Sequence, residues 1–404
     1  MTATSRPPAA AGDDRRYDVV VVGGGAIGLA TAWTLAARGL AVAVVDPEPG
    51  RGASWAAAGM LAPVSEVHHG EEPLLALALA AARQWPAFAA ELEAAVGRSV
   101  GYRATGTLVV AVDDGDRAWT EELLAFQRDL GLDVQWLSGR AARHLEPGVA
   151  PGVRGAIWVA DDHQVHTRLL VGALLDAAAG AGAELWRDRA VSLECGGGAV
   201  SGVHLAAGPR LRAGCVVLAA GCWSGGLDGL PDGAVPPVRP VKGQILRLTP
   251  TGQAGTGPAP VLGRTVRGIV RGASVYLVPR QDGSVVVGAT MEERGFDTAV
   301  TAGAVYELLR DAHRVVPGVT ELVLGEARAG LRPGSPDNAP IVGRPAVAGV
   351  DGLVVATGHF RQGILLTPIT ARAVAAIVDG AEPPAEMAPF GPGRFAGVAT
   401  RAGP

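Results

Sequence analysis

The order of hydrophobic and polar positions predicts buried strands that alternate with amphipathic helices. Unbroken apolar runs, typical of parallel strands covered on both faces, occur at 19–22, 41–45, 215–219 and 353–356. Helical periodicity predicts helices at 27–38, 73–96, 117–130, 167–180, 300–315 and 364–378, the fourth with Thr167 as its N-cap. Shorter strands are expected at 105–112, 154–159, 184–193 and 199–205, and the alternating pattern of 236–288 indicates antiparallel strands.

Buried strands occur again far along the chain, and their positions determine how the domains can be divided. Strands at 215 and 353 extend the first sheet only if its domain is discontinuous. We therefore expect an α/β fold with two domains. A Rossmann-like nucleotide-binding domain comprises 17–96, 139–235 and 327–380, and an antiparallel-sheet α+β substrate domain comprises 97–138 and 236–326. The stretches 1–16, which lacks the apolar core of a signal peptide, and 381–404 are expected to be tails, and 250–260 a surface loop.

The stretch 18–46 carries a dinucleotide-binding pattern. Gly23, Gly25 and Gly28 follow a strand and open a helix in G-x-G-x-x-G spacing, which allows a tight turn, close approach of a pyrophosphate and close helix packing. Asp46 ends the second strand, where a carboxylate accepts the ribose hydroxyls of an adenosine, and Pro47 follows it without an arginine for a 2′-phosphate. The pattern disfavours NADP but does not by itself separate FAD from NAD. With no second unit of this kind, we infer one dinucleotide that stays bound.

Composition excludes several other classes. The net charge of −4 offers no basic stripe for nucleic acid, and the longest apolar run, 74–82, is too short to cross a bilayer. The three cysteines form no C-x-x-C pair and are read as free thiols of a reducing cytoplasm. Asp162, His163 and His166 have the spacing of metal ligands, but the stretch is read as a turn between a strand and a helix, so no metal is expected.

Seven stretches together resemble the D-amino-acid-oxidase-type flavoprotein superfamily, and within it the glycine oxidases of thiamine biosynthesis. They span about 17–380; six of them read VVVVGGGAIGLATAW, SWAAAGMLAP, VVLAAGCWS, VKGQILRL, GLRPGSPDNAPIVG and GHFRQGILLTP, and the seventh combines YLVPR with the nearby VVVGATM. The resemblance implies FAD, a two-domain fold and oxidation of a small amino acid. We expect the FAD to be non-covalent, because no cysteine follows Cys222 and SWAAAG contains no histidine.

The resemblance also implies roles for residues of the substrate pocket. Arg332, in a Pro/Gly-rich turn, would grip the substrate carboxylate with its planar guanidinium, and Tyr276 would donate a hydrogen bond to the same carboxylate. Met291 would line the pocket, and Arg361 would either add positive charge near the flavin or face the substrate. Ser274 departs from the pattern, since a histidine is expected there, which leaves the exact substrate open.

Further contacts with FAD are expected from the stretch 359–365 and from residues earlier in the chain. The helix that begins at Ile364 would place its N-terminus near the reduced flavin and stabilise its negative charge. His359 would either lie over the flavin ring or be a packed histidine whose hydrogen bonds are made within the protein. The whole expected cofactor set is Gly23, Gly25, Ala26, Ile27, Gly28, Asp46, Pro47, Ser54, Ala57, Ala58, Gly59, Met60, Val191, Ala220, Gly221, Trp223, His359, Arg361, Gln362, Gly363, Ile364 and Leu365.

The function expected first is FAD-dependent oxidation of glycine by O2, which gives peroxide, an imine and then glyoxylate and ammonia, in support of the thiazole branch of thiamine biosynthesis. Positioning of the carboxylate by the protein would suffice, without a strong protein base, for transfer of the Cα hydrogen. The alternatives are a sarcosine or D-amino-acid oxidase or dehydrogenase of the same fold, and a nucleotide-binding protein without turnover. The expected partners are a small amino acid or amine and O2, with no membrane, and homo-oligomerisation is left open.

Overall fold

A computed structural model describes residues 15–251 and 260–396 of the chain. Its helices are α1 Ala26–Ala36, α2 Ala53–Ala56, α3 Glu72–Val96, α4 Asp114–Asp129, α5 Gly139–Leu145, α6 Thr167–Gly180, α7 Ala302–Val315 and α8 Thr367–Val378. Its strands are β1 Arg15–Val22, β2 Val42–Val45, β3 Met60–Leu61, β4 Thr107–Ala111, β5 Gln135–Ser138, β6 Gly155–Val159, β7 His163–Gln164, β8 Glu184–Trp186, β9 Ala190–Gly196, β10 Ala199–Leu205, β11 Arg210–Leu218, β12 Arg239–Thr249, β13 Thr265–Val270, β14 Ala273–Pro279, β15 Val285–Gly288, β16 Val323–Gly334, β17 Ile341–Gly343 and β18 Leu353–Thr357. Short 3₁₀ helices occur at Gly221–Gly226, Pro317–Glu321, Phe360–Gln362, Ala385–Phe390 and Pro392–Phe395.

The first sheet has the order β17-β18-β11-β1-β2-β8, with β10 and β9 added beside β11. Strands β18, β11, β1, β2 and β8 run parallel. The valines of 19–22 are buried, as an unbroken apolar run requires of a strand covered on both faces. Helices α1, α3, α6 and α8 pack together in the largest apolar core, which covers one face of this sheet.

The second sheet has the order β16-β12-β15-β14-β13-β4-β6-β5 and is antiparallel except for the β4–β13 pair. Helix α7 packs against it with Leu308, Ala312 and Val315, so that one face of the sheet has its own apolar core. The α/β fold class with a Rossmann-like unit and a second, mainly antiparallel sheet is therefore confirmed. Within the described residues, no helix combines the length and apolarity needed to span a bilayer.

Strand pairing shifts the expected domain boundaries. Strand β6 lies between β4 and β5 in the second sheet, and β16 forms the edge of that sheet, whereas residues 139–159 and 327–334 were assigned to the nucleotide-binding domain. The physical reason is pairing over long sequence distances, such as Val109 with Ile157, which local periodicity does not encode.

The chain ends also depart from the expected tails. Arg15 and Arg16 belong to β1, and Met387 and Phe390 are buried in the main core, so parts of 1–16 and 381–404 are structured. The rest of the expected tails, 1–14 and 397–404, and most of the expected loop 250–260 lie outside the described residues.

Candidate active site

A cavity of about 880 Å³ is lined by residues of both sheets. One end contains Asp46 and the glycine-rich turn after β1, where parallel strands of an open sheet place nucleotide ligands. The other end contains Tyr276 and Arg332 of the second sheet. The cavity therefore joins the expected nucleotide site to the expected substrate site.

The glycine-rich turn has the geometry that its spacing predicts. Gly23 has a φ of +110°, and a Cβ there would lie 2.3 Å from the carbonyl oxygen of Ala219. A Cβ on Gly28 would lie 1.9 Å from the carbonyl oxygen of Gly23, so Gly28 serves the packing of α1 on β1 rather than the cavity surface. Gly25 is the N-cap of α1 and leaves this helix end open toward the cavity, as a pyrophosphate site requires.

Asp46 lies at the end of β2 and is fixed by backbone donors. Its Oδ2 accepts a hydrogen bond from the Gly24 N–H at 2.7 Å, and its Oδ1 accepts one from the Glu48 N–H at 2.8 Å. A carboxylate oxygen accepts more than one donor, so both oxygens keep capacity for ribose hydroxyls. Val191 is expected to contact FAD, but Arg189 and Ala190 line the cavity in its place.

The segment 53–60 lies along the middle of the cavity and is held from several sides. Ser54 Oγ accepts the Ala26 N–H at 2.9 Å, which ties α2 to the first turn of α1. Thr167 Oγ1 donates to the carbonyl of Ala57 at 2.9 Å. Thr167 is therefore not the helix cap that was expected, and His166 Nδ1 accepts the Leu169 N–H in that role.

Arg280, directly after β14, links the second sheet to this segment. It is 4% exposed and donates to the carbonyls of Ala58 and Val165 and to Oε1 of Gln164. Burial lowers the pKa of Arg280 to about 9, with a further lowering from nearby Arg247. The backbone that would face the flavin is thus fixed by a buried guanidinium.

The turn after β18 differs from the expected helix start. Phe360–Gln362 is a 3₁₀ helix and α8 begins at Thr367 rather than at Ile364. His359 lines the cavity but is only 3% exposed, and its Nε2 is 3.1 Å from Oγ1 of Thr370. Burial lowers the pKa of His359 to about 3, so this imidazole is neutral at neutral pH.

Arg332 and Tyr276 meet at the other end of the cavity. Arg332 lies on β16, not in the expected turn, and its Nη1 donates to the carbonyl of Thr290 at 3.1 Å. A Cβ on Gly243 would lie 2.3 Å from the Arg332 guanidinium, and one on Gly288 would lie 2.4 Å from the Tyr276 hydroxyl oxygen. Both side chains therefore occupy space that only a glycine at the facing position leaves free. Burial raises the pKa of Tyr276, and the positive charge of nearby Arg332 lowers it in part.

Two other arginines near this end are neutralised by carboxylates. Arg361 Nη2 pairs with Glu71 at 2.9 Å, and its Nη1 lies 2.6 Å from Nε2 of His68. Arg267 Nη1 pairs with Oε1 of Glu66 at 2.6 Å. Among the described residues, by contrast, no carboxylate pairs with Arg332.

His68 lies between the two ion pairs and is uncharged. Burial lowers the pKa of His68 to about 4, and Arg361 and Arg267 lower it further. The expected loop at 68–69 thus contributes a neutral imidazole to the cavity wall. Sequence reasoning missed Glu66, His68 and Arg267, since their proximity depends on contacts across about half of the chain.

Most of the expected site residues line the cavity. Met291 does so at its mouth, where it is 64% exposed, and Trp223 lies there against Phe296, with ring centroids 5.8 Å apart. Ser274 also faces the cavity. The others that line it are Gly23, Gly25, Ala26, Ile27, Asp46, Pro47, Ser54, Ala57, Ala58, Gly59, Met60, Ala220, Gly221, His359, Arg361, Gly363 and Ile364.

Besides Gly28, three expected cofactor residues lie outside the cavity wall. The Val191 carbonyl accepts the Asp228 N–H at 3.0 Å, and the Leu365 carbonyl accepts Nε1 of Trp85 at 2.8 Å, so both serve the packing of neighbouring segments. Gln362 is 7% exposed within the 3₁₀ turn.

The residues with metal-ligand spacing serve structural contacts. Asp162 accepts backbone N–H groups of Val64 and Ser65, and Nδ1 of His163 lies 2.6 Å from the hydroxyl of Tyr102. Within the described ranges, no three histidine, cysteine or acidic residues form a group that could hold a metal ion.

Comparison with known proteins identifies the family. The model of the FAD dependent oxidoreductase family matches residues 18–377. A glycine oxidase of Geobacillus kaustophilus is 35% identical over 93% of this chain and 96% of its own, and a crystal structure of glycine oxidase from that organism superposes with a TM-score of 0.84, covering 93% of this chain and 98% of the other.

Two further relatives carry other names. A hydrogen cyanide synthase subunit, HcnC, of Pseudomonas aeruginosa is 32% identical over 94% of this chain and 96% of its own. A crystal structure of an iminodiacetate oxidase from Chelativorans superposes with a TM-score of 0.80 at 28% identity, over 93% of this chain and 98% of the other.

The chain belongs to the FAD-dependent oxidoreductase family and is a flavin-dependent amino-acid oxidase. Its own residues fit FAD. The open N-terminus of α1 suits a pyrophosphate, Asp46 suits a ribose, and the clamped segment 53–60 offers backbone and small side chains to a flat ring.

Proposed function

We propose that this protein oxidises glycine with O2 and water to glyoxylate, ammonia and hydrogen peroxide. The observation that carries the proposal is the state of Arg332. It is a guanidinium at the substrate end of the cavity, close enough to Tyr276 to lower its pKa and without a carboxylate partner among the described residues. A planar guanidinium beside a phenol can bind one carboxylate with directed hydrogen bonds.

The charge balance supports a substrate with a single carboxylate. Arg361 and Arg267 are neutralised by Glu71 and Glu66, and burial keeps His68 uncharged at neutral pH. Of the described arginines that line this end of the cavity, Arg332 is then the one that remains available to the substrate. An α-amino acid without a charged side chain satisfies this balance.

The chain's own contribution to the reaction is to bind and orient. Arg332 and Tyr276 hold the carboxylate, which fixes the position of Cα relative to the cavity wall formed by 57–60. FAD, when bound, supplies the hydride acceptor. The neutral His68 and His359 place no further positive charge beside the substrate amine, which must be uncharged to react.

Anaerobic mixing of the FAD-loaded protein with glycine tests the proposal. We expect glycine to bleach the flavin absorbance near 450 nm, a general property of flavins on reduction, and sarcosine and D-alanine to do so more slowly. D-proline, D-phenylalanine and iminodiacetate complete the panel. If D-phenylalanine matched glycine in kcat/KM, the assignment would change to a broader D-amino-acid oxidase, and a flavin that no member reduced would leave a nucleotide-binding protein without turnover.

Two further measurements test the acceptor and the product. Rapid reoxidation of the reduced protein by O2 supports an oxidase, whereas slow reoxidation indicates a dehydrogenase. We also propose that the imine can serve the thiazole branch of thiamine biosynthesis in a reducing cytoplasm, in keeping with the free thiols of Cys195, Cys215 and Cys222. Glyoxylate and ammonia in equal amounts, with no cyanide, would separate this function from that of the cyanide synthase relative.

A further inference from the structure

The cavity contains an ion pair that the binding of one carboxylate does not use. Arg267 on β13 pairs in register with Tyr276 on β14, and both side chains line the substrate end of the cavity. Arg267 donates from Nη1 to Oε1 of Glu66 at 2.6 Å, and the two side chains are 13% and 14% exposed. A largely buried ion pair thus lies close to Tyr276, on which Arg332 also acts electrostatically.

The position of Glu66 is fixed from outside the cavity. Asp162 is fully buried and accepts the Val64 N–H at 3.1 Å and the Ser65 N–H at 2.9 Å. Gln127 Nε2 donates to the carbonyl of Val64 at 3.0 Å. The backbone next to Glu66 is therefore held by three hydrogen bonds, which keep the Glu66 side chain within reach of Arg267.

We propose that Glu66 restricts the substrate to one carboxylate by neutralising Arg267. This inference rests on the proposed function, in which Arg332 holds the substrate carboxylate. Without Glu66, the pocket would offer two guanidiniums, and a dicarboxylate could bind to both. With Glu66 in place, a second carboxylate meets a fixed like charge instead of a free cation, and repulsion of this kind determines which ligands are rejected.

The ligands that test this inference differ in their number of carboxylates and carry no amine. Glycolate has one, and diglycolate has two separated by an ether oxygen, as iminodiacetate has two separated by a nitrogen. Neither probe carries an amine, so binding is measured without turnover. In calorimetric titration of the FAD-loaded wild-type protein, the Kd of glycolate should be at least tenfold lower than that of diglycolate.

Glu66→Gln keeps the side-chain shape and removes the charge. We expect its preference for glycolate over diglycolate to fall by tenfold or more, because Arg267 becomes available to the second carboxylate. Its kcat/KM for iminodiacetate relative to glycine should rise by a similar factor. Flavin absorbance and melting temperature establish that the variant is folded and loaded.

Arg267 provides the matched controls. In the double variant Glu66→Gln with Arg267→Gln, the gain for diglycolate should disappear, and Arg267→Gln alone, which leaves Glu66 unpaired, should bind diglycolate more weakly than the wild type does. The proposal is overturned if the wild type binds diglycolate as tightly as glycolate, if Glu66→Gln leaves the ratio unchanged, or if the double variant keeps the gain.

The two proposals fail in different ways. If glycine did not reduce the flavin but the binding ratios behaved as described, glycine oxidation would be wrong and the charge restriction would stand. If glycine reduced the flavin and the ratios did not respond to Glu66, only the charge restriction would be wrong.

Discussion

At the scale of single residues, the site depends on which charges are paired. Arg267, Arg332 and Arg361 lie near the substrate end of the cavity, and within the described part of the chain carboxylates neutralise Arg267 and Arg361 but not Arg332. Guanidiniums remain charged at any physiological pH, so their pairing decides what each can bind. The state of Arg332 therefore leads to a direct prediction.

Arg332→Lys should lose most activity with glycine while it keeps FAD. Lysine preserves the charge but not the planar fork that binds a carboxylate through two hydrogen bonds. Tyr276→Phe should cost about 1–3 kcal/mol in kcat/KM, the scale of a hydrogen bond to a charged group. Steady-state kinetics with FAD-saturated enzyme measure both, and Arg310→Lys on α7 is the control. An unchanged substrate-binding constant in Arg332→Lys would remove Arg332 from the site.

His359 leads to a prediction about pH. Its pKa is lowered to about 3 by burial, whereas a histidine in an unfolded chain titrates near about 6.5. Between these values the unfolded chain binds a proton that the folded chain does not, so stability falls as the pH falls below about 6.5. His68 and His166, with pKa values lowered to about 4, act in the same direction, and Asp162, with a pKa raised to about 6, opposes them.

The His359→Gln variant isolates the contribution of one group. Its free energy of unfolding should depend less steeply on pH between pH 6 and pH 4, by up to about 1.4 kcal/mol per pH unit, the value for one proton. Urea denaturation at several pH values measures the slope, and His313→Gln on the exposed side of α7 is the matched control. A slope equal to that of the wild type would contradict a buried, neutral His359.

At the scale of elements, the sequence predicts what local patterns encode. The four apolar runs form parallel strands, as expected, because a strand buried on both faces needs continuous apolar residues. The glycine spacing also correctly predicts the tight turn after β1. The placement of β6 in the second sheet and the pairing of Glu66 with Arg267 were not predictable, because each depends on partners far apart in sequence. Arg332 was found through its motif, although it lies on a strand and not in a turn.

Arg280 tests how one element supports another. The Arg280→Met variant should lose about 2–4 kcal/mol of unfolding free energy, because the carbonyls of Ala58 and Val165 lose charged donors and remain buried. It should also bind FAD more weakly, since the segment 57–60 loses its anchor. Arg98→Met removes an exposed ion pair with Asp176 and should cost about 0.2–1 kcal/mol. Equal losses in the two variants would contradict the role of Arg280.

At the scale of the whole molecule, the cavity joins two sheets with separate apolar cores. The nucleotide end is formed by the first sheet and the substrate end by the second, and residues of the segments 53–60 and 359–364 line the cavity as well. A dinucleotide in this cavity would contact both sheets. Its binding should therefore stabilise the folded chain in proportion to its affinity and free concentration.

The nature of the attachment of FAD is the last prediction. The cysteine and the two histidines that line the cavity are poorly placed for a covalent bond. Burial raises the pKa of Cys222 to about 12, so little thiolate forms at neutral pH, and the imidazoles of His68 and His359 are engaged by Arg361 and Thr370. Acid or heat should therefore release all of the yellow colour as intact FAD, which chromatography of the supernatant identifies. A flavin that remained on the denatured chain would show that one of these side chains reacts despite its surroundings, and peptide mapping would then identify which.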